Sequence, residues 1–317
     1  MILLAVATVF LLGMLKELGW ADLARYFRRV GYYWPFLLAP YGLVNCLQAF
    51  AWGYLLPHKT NRPSFGRLFL LRLAGDALNQ LTPTASVGGD AFRVQSLKAL
   101  GIPWEEATAS VVIQKGILVL SLVLYVILGL VLSVAMHALE ASRLSLLVPA
   151  VLILGAGGLG FLLVQNRGFC VRAVRLLEKF GLCPAMLKAR EQELALLDSC
   201  LAAFYREHRA RCLFAFVLFC LAWLVHGIEV YVIFRLLGHP IDWGLALSLD
   251  ALVTLGAALG FMIPASVGVQ DGCAILLSFG FNLGATLGAA FSVIRRLREA
   301  FWLSLGLLVA ARTRPPR

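Results

Sequence analysis

The sequence predicts an all-α, polytopic membrane protein with about six full spans and two re-entrant or broken-helix hairpins arranged as an inverted repeat. Three observations lead there: an excess of apolar residues, long runs without a charge, and a short motif that occurs twice. Of the 317 residues, 61% are hydrophobic and 14% charged, with a mean hydropathy of +0.85. Soluble domains hold roughly 45–50% apolar and about 25% charged residues, so lipid is the solvent for most of this chain. Runs 116–139, 144–166, 251–270 and 272–294 contain no Asp, Glu, Lys or Arg, and about 20 helical residues cross a bilayer core. These runs are apolar on every face, which excludes the alternating pattern of a β-barrel and leaves the helix as the spanning structure.

Taken in order, residues 1–15 lack a basic leader and a small-residue cleavage site, and are expected to be a retained first span, near 1–16. A short polar helix at 22–29, a span at 33–56 and a basic loop at 58–72 follow. Across 66–100, Arg67, Arg72, Asp76, Asn79 and Gln80 interrupt an apolar helix, and Pro83-Thr84-Ala85-Ser86-Val87-Gly88-Gly89-Asp90 then breaks it. This predicts two half-helices forming the first hairpin. Spans are expected at 107–136 and 144–165. Residues 167–211 carry nine Lys and Arg against five Asp and Glu, which places this segment in the cytoplasm. Its apolar residues recur at helical spacing, as in amphipathic helices on the headgroups. A span at 212–236, a second broken segment at 243–280 and a helix at 285–311 complete the chain. The basic tail places the C-terminus inside a bacterial inner membrane, although Arg25, Arg28 and Arg29 would then face outward.

The net charge of +11 lies mainly in loops, where it orients the chain and meets anionic lipid, so no nucleic-acid partner is expected. Seven cysteines form no C-x-x-C pair, and no metal or other cofactor is expected. Hydrolase, metalloprotease and P-loop signatures are absent from the sequence, and an enzyme is not the expected reading.

The repeat relates Pro83–Asp90 to Pro264-Ala265-Ser266-Val267-Gly268-Val269-Gln270-Asp271. Both contain Ala-Ser-Val-Gly, and both place Asp seven residues after Pro. The likeness extends to about 22–135 against 198–311, within a single membrane domain. Three crossings separate the corresponding spans, and an odd number inverts the second copy. Inverted repeats with broken helices at the midplane build sites that both faces of a membrane can reach.

Asp90 and Asp271 are the central candidates, because an ionisable residue in a bilayer costs at least about 2.5–3.5 kcal/mol and persists when paired or functional. The simpler reading is that each caps the half-helix after it. Pro83, Ser86, Gly88 and Gly89, with Pro264, Ser266, Gly268 and Gln270, supply the freed backbone and polar groups beside them. Arg295, Arg296, Arg298 and Glu299 fall mid-way along an apolar stretch and point to a water-filled cavity for an anionic group. Their alternative is an interfacial stop after a span at 272–294, with 300–311 a surface helix. Arg93 and Lys115 are the first-half counterparts, snorkelling to the interface being the alternative, and Asp76, Asn79 and Gln80, at one end of the first hairpin, extend the polar path. His226 and Glu229 share a helix face and suit an interhelical hydrogen bond better than a metal.

At these breaks the chain resembles the transmembrane-region family of lysylphosphatidylglycerol synthases, also described as flippase-like membrane proteins. Asn79, Pro83, Gly89, Asp90, Arg93 and Gly101, with Pro264, Gly268, Asp271 and Arg296, follow the order of the family's motifs. The chain departs in carrying Asp where the family has Glu at the break, and Gln114-Lys115 where it has Glu-Arg. Residues 82–100 and 285–305 look closest to the branch associated with hopanoid biosynthesis. The resemblance implies movement of polar or anionic lipids across the membrane, with membrane lipids as partners. It does not imply aminoacyl transfer, for which the full synthases carry a further soluble domain. A non-transporting partner of a lipid or hopanoid biosynthesis enzyme, docked through 167–211, is the alternative, and an intramembrane lipid-phosphate enzyme with an Asp as base ranks third. A homo-oligomer is compatible with each.

Overall fold

The computed structural model describes residues 28, 30–56, 62–81, 87–136, 148–165, 169–179, 191–260 and 263–313. The expected first span, nearly all of the polar helix at 22–29, and the motif residues Pro83 and Ser86 lie outside the described residues. Every regular element described is a helix. In chain order these are α1 (Trp34–Leu55), α2 (Phe65–Leu81), α3 (Gly88–Ala99), α4 (Trp104–Ala135), α5 (Val148–Gln165), α6 (Phe169–Lys179), α7 (Glu191–Glu207), α8 (Arg209–Leu236), α9 (Trp243–Leu259), α10 (Val269–Gly280) and α11 (Ala285–Arg312).

Local chemistry sets several of these bounds. Pro103 precedes α4, and Glu105 and Glu106 occupy its first turn, where carboxylates favour the helix N-terminus. The charge-free runs at 251–270 and 272–294 are each long enough for one crossing, yet neither is a single helix. Ala265, Ser266 and Gly268 have φ of 51°, 46° and 83°, left-handed values that end a right-handed helix. Asn282 and Gly284, with φ of 59° and 93°, break the second run in the same way. The following helix α11 then runs without interruption through Arg295 to Glu299, so residues 300–311 are its continuation rather than a separate surface helix.

By length and apolarity alone, two described helices qualify as spans, α4 and α8. What they present outward decides the matter. Leu124, Ile127, Leu128, Val131 and Val134 are exposed along α4, and Leu213, Val217, Leu221, Leu224 and Ile228 along α8. Inside, Asp250 is 0% and Arg298 1% exposed. A soluble fold places these classes the other way round. Apolar stripes outward and ions inward describe a protein solvated by lipid.

The halves interlock. α2 packs against α3, and α9 against α10, as two helix–break–helix units. Each unit's first arm lies along the other half's long helix, α2 on α11 and α9 on α4, while α1 packs on α8. Small residues make these approaches close. Gly306 of α11 sits against the Leu73 carbonyl and Ala77, and Gly129 of α4 sits against Ala251. α6 and α7 pack on one another, with α7 also against α4. Helices do form within 167–211, but where the apolar residues were expected to lie on the headgroups, Leu197, Leu201 and Phe204 of α7 are buried against α4 and α8; residues 180–190 are outside the description.

Candidate functional site

Both Asp residues occupy the third position of the half-helix that follows a break: Asp90 in α3, which begins at Gly88, and Asp271 in α10, which begins at Val269. The capping reading holds for Asp271, whose Oδ2 accepts the Gly268 N–H at 2.9 Å. It does not describe the whole residue. The same carboxylate takes a forked pair from Arg296, Nε to Oδ1 at 2.9 Å and Nη2 to Oδ2 at 2.8 Å, and a hydrogen bond from Ser292 Oγ at 2.5 Å. Arg296 also donates to the Ala265 and Ser266 carbonyls, at 2.8 and 3.3 Å, and to Glu299 at 2.9 Å. One guanidinium thus ties the break to α11 and satisfies carbonyls that the left-handed turn leaves outside a helix.

At the first break, Asn79 performs the cap. Its Oδ1 accepts the Gly89 N–H at 2.7 Å, and its Nδ2 donates to Asp90 Oδ1 at 3.2 Å. Asp90 turns to cations, taking Lys115 Nζ at 2.5 Å and Arg93 Nη1 at 3.3 Å. Arg93 is bound as well by Asp76 and by the Arg72 carbonyl, and Arg72 pairs with Asp76 at 3.0 Å and donates to Gln48. The trace itself is tight here, because a Cβ at Gly89 would meet the Gly75 carbonyl and Asn79. Lys115 and Arg93 therefore reach Asp90 rather than snorkel away from it.

The two halves repeat this geometry as well as the motif. Lys115 follows Asp90 by 25 residues, and Arg296 follows Asp271 by 25 residues. Each cation rises from the long helix after its hairpin. Other charges are particular to one half. Arg295 faces away from Asp271 and pairs with Asp250 at 3.0 Å, which also accepts Tyr125 OH at 2.9 Å. Arg298 donates to Glu229 at 2.7 Å and lies 4.0 Å from the centre of the Tyr41 ring. The His226–Glu229 face thus makes an interhelical bond through Glu229, as its spacing suggested.

Two cavities border α2 and share two of its side chains. One of about 280 Å³ is lined by Asn79 and Gln80 of α2, by Ala257, Ile263, Ala265, Ser266 and Gln270 around the second break, and by Glu299 of α11. The other, of about 230 Å³, is lined by Arg72, Asp76, Asn79, Gln80, Asp90, Arg93 and Lys115, with Gln114 and two apolar residues of α4. Asn79 and Gln80 belong to both. A third space of about 630 Å³ lies between α3 and α4, walled by Val87, Ala91, Val94, Val111 and Val112 with Trp104; it includes Asp90, Lys98 and Lys115.

Of the residues anticipated, Asp76, Asn79, Asp90, Arg93 and Lys115 gather at one cavity, and Ser266, Gln270 and Glu299 at the other. Asp271 and Arg296 brace the second from behind, Gly268 gives its cap, and Pro264 opens the short turn. Gly88 starts α3 and Gly89 seats it on α2. Sequence reasoning missed Gln48, Tyr125 and Asp250, and left Arg72 as an awkward charge. The one available signal was an isolated ionisable or amide group in each apolar helix, which marks a partner without naming it. Among the described residues no three His, Cys, Asp or Glu side chains gather as metal ligands.

A family model described as lysylphosphatidylglycerol synthase TM region matches residues 1–306. Among curated relatives, a UPF0104 membrane protein of Methanocaldococcus jannaschii is 24% identical over 265 residues, covering 80% of this chain and 76% of that one. A second, from Methanothermobacter thermautotrophicus, is 25% identical over 253 residues, covering 77% and 74%. No solved structure matches.

Proposed function

We propose, for a chain that belongs to the lysylphosphatidylglycerol synthase TM region family, that it is a translocator of polar or anionic lipids working through the space between its two hairpins. The observation that carries this reading is the cavity of about 280 Å³ that α2, through Asn79 and Gln80, lines together with the residues around the second break; the same two side chains border the Arg72–Arg93–Lys115 cavity. A lipid headgroup needs polar partners within the hydrocarbon depth, and its tails need none. The space between α3 and α4 provides both conditions side by side: valines for a tail, and Asp90 and Lys115 at the boundary with the polar cavity. Headgroups enter from that side, exchange hydration for Arg and Lys, and leave on the opposite face while the tails stay in lipid.

The helix–break–helix units are read as re-entrant hairpins related by an inverted repeat, together with about six full spans. The recurring Asp-to-cation interval and the reciprocal packing of α2 on α11 and α9 on α4 support this. We place the chain in the inner membrane with 167–211 and the C-terminus cytoplasmic, on the balance of basic residues. Transport is favoured over catalysis because the carboxylates lining the cavities are engaged in ion pairs, which suits charge compensation better than proton abstraction. The test is reconstitution into liposomes with a headgroup-sidedness assay. Faster movement of labelled lipid than in protein-free vesicles is expected; no acceleration for any lipid tried defeats the reading.

A further inference from the structure

Gln114 stands one residue before Lys115 in the apolar helix α4, and only 2% of it is exposed. It lines the cavity of about 230 Å³ with Arg72, Arg93 and Lys115, yet its Oε1 is buried with no hydrogen-bond partner among the described residues. Asn79, on the wall formed by α2, is by contrast occupied by the Gly89 cap and by Asp90. A buried amide oxygen without a donor is costly in a low-dielectric interior, so the cavity favours an occupant that brings one. Two donors of the same wall are in the complementary position. The Nε of Arg72 and the Nε of Arg93 are buried without an acceptor, while the other nitrogens of these side chains bind Gln48, Asp76, Asp90 and the Arg72 carbonyl. The cavity therefore offers cationic N–H groups for an anion and, beside them, a neutral acceptor for a donor.

The donor that reaches Gln114 is either an ammonium or a hydroxyl, and charge decides between them. Every carboxylate oxygen of this cavity already has a cation: Asp76 has Arg93 on Oδ1 and Arg72 on Oδ2, and Asp90 has Arg93 on Oδ1 and Lys115 on Oδ2. An ammonium would enter among three cations with no carboxylate oxygen to itself, and like charges repel strongly where water is scarce. A hydroxyl carries no charge, donates to an amide oxygen and accepts from a guanidinium. We propose that Gln114 selects headgroups in which the phosphate is joined to a hydroxyl-bearing group, a polyol, rather than to an amine. The phosphate oxygens accept from Arg72 and Arg93, and a headgroup hydroxyl donates to Gln114 Oε1. This inference rests on the translocator reading and adds the chemical class of its cargo and the residue that reads it.

The test uses the full chain in phosphatidylcholine vesicles with a trace of one tail-labelled lipid: phosphatidylglycerol, phosphatidylethanol or phosphatidylethanolamine. The first two carry the same phosphodiester charge and differ in their hydroxyls; the third carries the amine. Phosphatidylglycerol should move about fivefold faster than phosphatidylethanol, the factor for one neutral hydrogen bond, and faster than phosphatidylethanolamine as well. Gln114→Leu should bring phosphatidylglycerol level with phosphatidylethanol, and Gln114→Glu should shift the preference toward phosphatidylethanolamine. In the wild-type protein, equal rates for phosphatidylglycerol and phosphatidylethanol, or a faster phosphatidylethanolamine, overturn the hydroxyl assignment while leaving translocation standing, whether or not a variant folds. A phosphatidylglycerol advantage that persists in Gln114→Leu overturns the role of Gln114. Acceleration of no lipid by the wild-type protein defeats the translocator reading itself. Uptake of water-soluble glycerophosphoglycerol without lipid movement assigns the same chemistry to a soluble solute and overturns the lipid source.

Discussion

Neutralising the two motif aspartates should separate a structural role from a transport role. The Asp271 side chain is 2% exposed and holds a forked Arg296 pair, a serine hydroxyl and the Gly268 cap. Asparagine offers one oxygen in place of two and turns an N–H₂ donor toward a donor. Breaking a buried ion pair by removing one partner costs about 3–5 kcal/mol, so Asp271→Asn should lose about that much stability against denaturant in micelles. Asp90 is 18% and Lys115 40% exposed, and partly solvated pairs are worth roughly 0–1 kcal/mol. Asp90→Asn should therefore fold nearly as well as the parent yet move lipid poorly, because Lys115 and Arg93 lose the carboxylate that positions them. Equilibrium unfolding of both variants, followed by reconstitution of the folded one, measures the difference. Equal destabilisation of the two, or an Asp90→Asn protein with parental transport, refutes the assignment.

Packing predicts a second contrast, between glycines. A Cβ at Gly288 would lie 2.7 Å from the Ser278 Cβ and 2.9 Å from the Ile275 Cα, so Gly288→Ala should destabilise by roughly 1–3 kcal/mol through overpacking. Gly157 has nothing within 4 Å, and Gly157→Ala should be neutral or stabilising by up to about 1 kcal/mol; thermal unfolding in detergent checks both. Glu229→Gln leaves Arg298, 2% exposed at its side chain, with only the more distant Glu299 carboxylate at 4.0 Å and should cost about 3 kcal/mol, the low end for breaking a buried pair, recovered in part by pairing it with Arg298→Met; a double-mutant cycle reads the coupling. On α7, burial followed by the charges of Glu106 and Glu105 pushes the Cys200 thiol above its ordinary value. In a variant retaining only that cysteine, maleimide labelling near pH 7 should be slower than for free cysteine and should rise as pH climbs past the usual thiol range.

Much of this architecture is legible in the residues because lipid enforces it. Uninterrupted apolar runs reported α4 and α5 to within a few residues, since unpaired backbone has no place in hydrocarbon. At 251–270 and 272–294 hydropathy alone would have continued the helices, but the Pro-Gly motif marked a broken segment at 243–280 followed by a helix at 285–311, and residues with positive φ end the helices there. Asp90 and Asp271 stood out because the motif recurs, and the interval of 25 residues to their cations was present in the chain as well. Asp250 and Gln48 were not legible. Their partners, Arg295 and Arg72, are remote in sequence and are fixed by how the helices pack against one another.

The central claim is that one polar space between the hairpins is reached from both faces of the membrane, and Gln80, which borders both cavities, reports on it. The measurement replaces the seven native cysteines, introduces Gln80→Cys, and labels the protein with a charged, membrane-impermeant maleimide applied to either face of sealed vesicles. Modification from both faces, each slowed by the transported lipid, is the expected result. Labelling from one face alone, at a rate indifferent to lipid, contradicts the account.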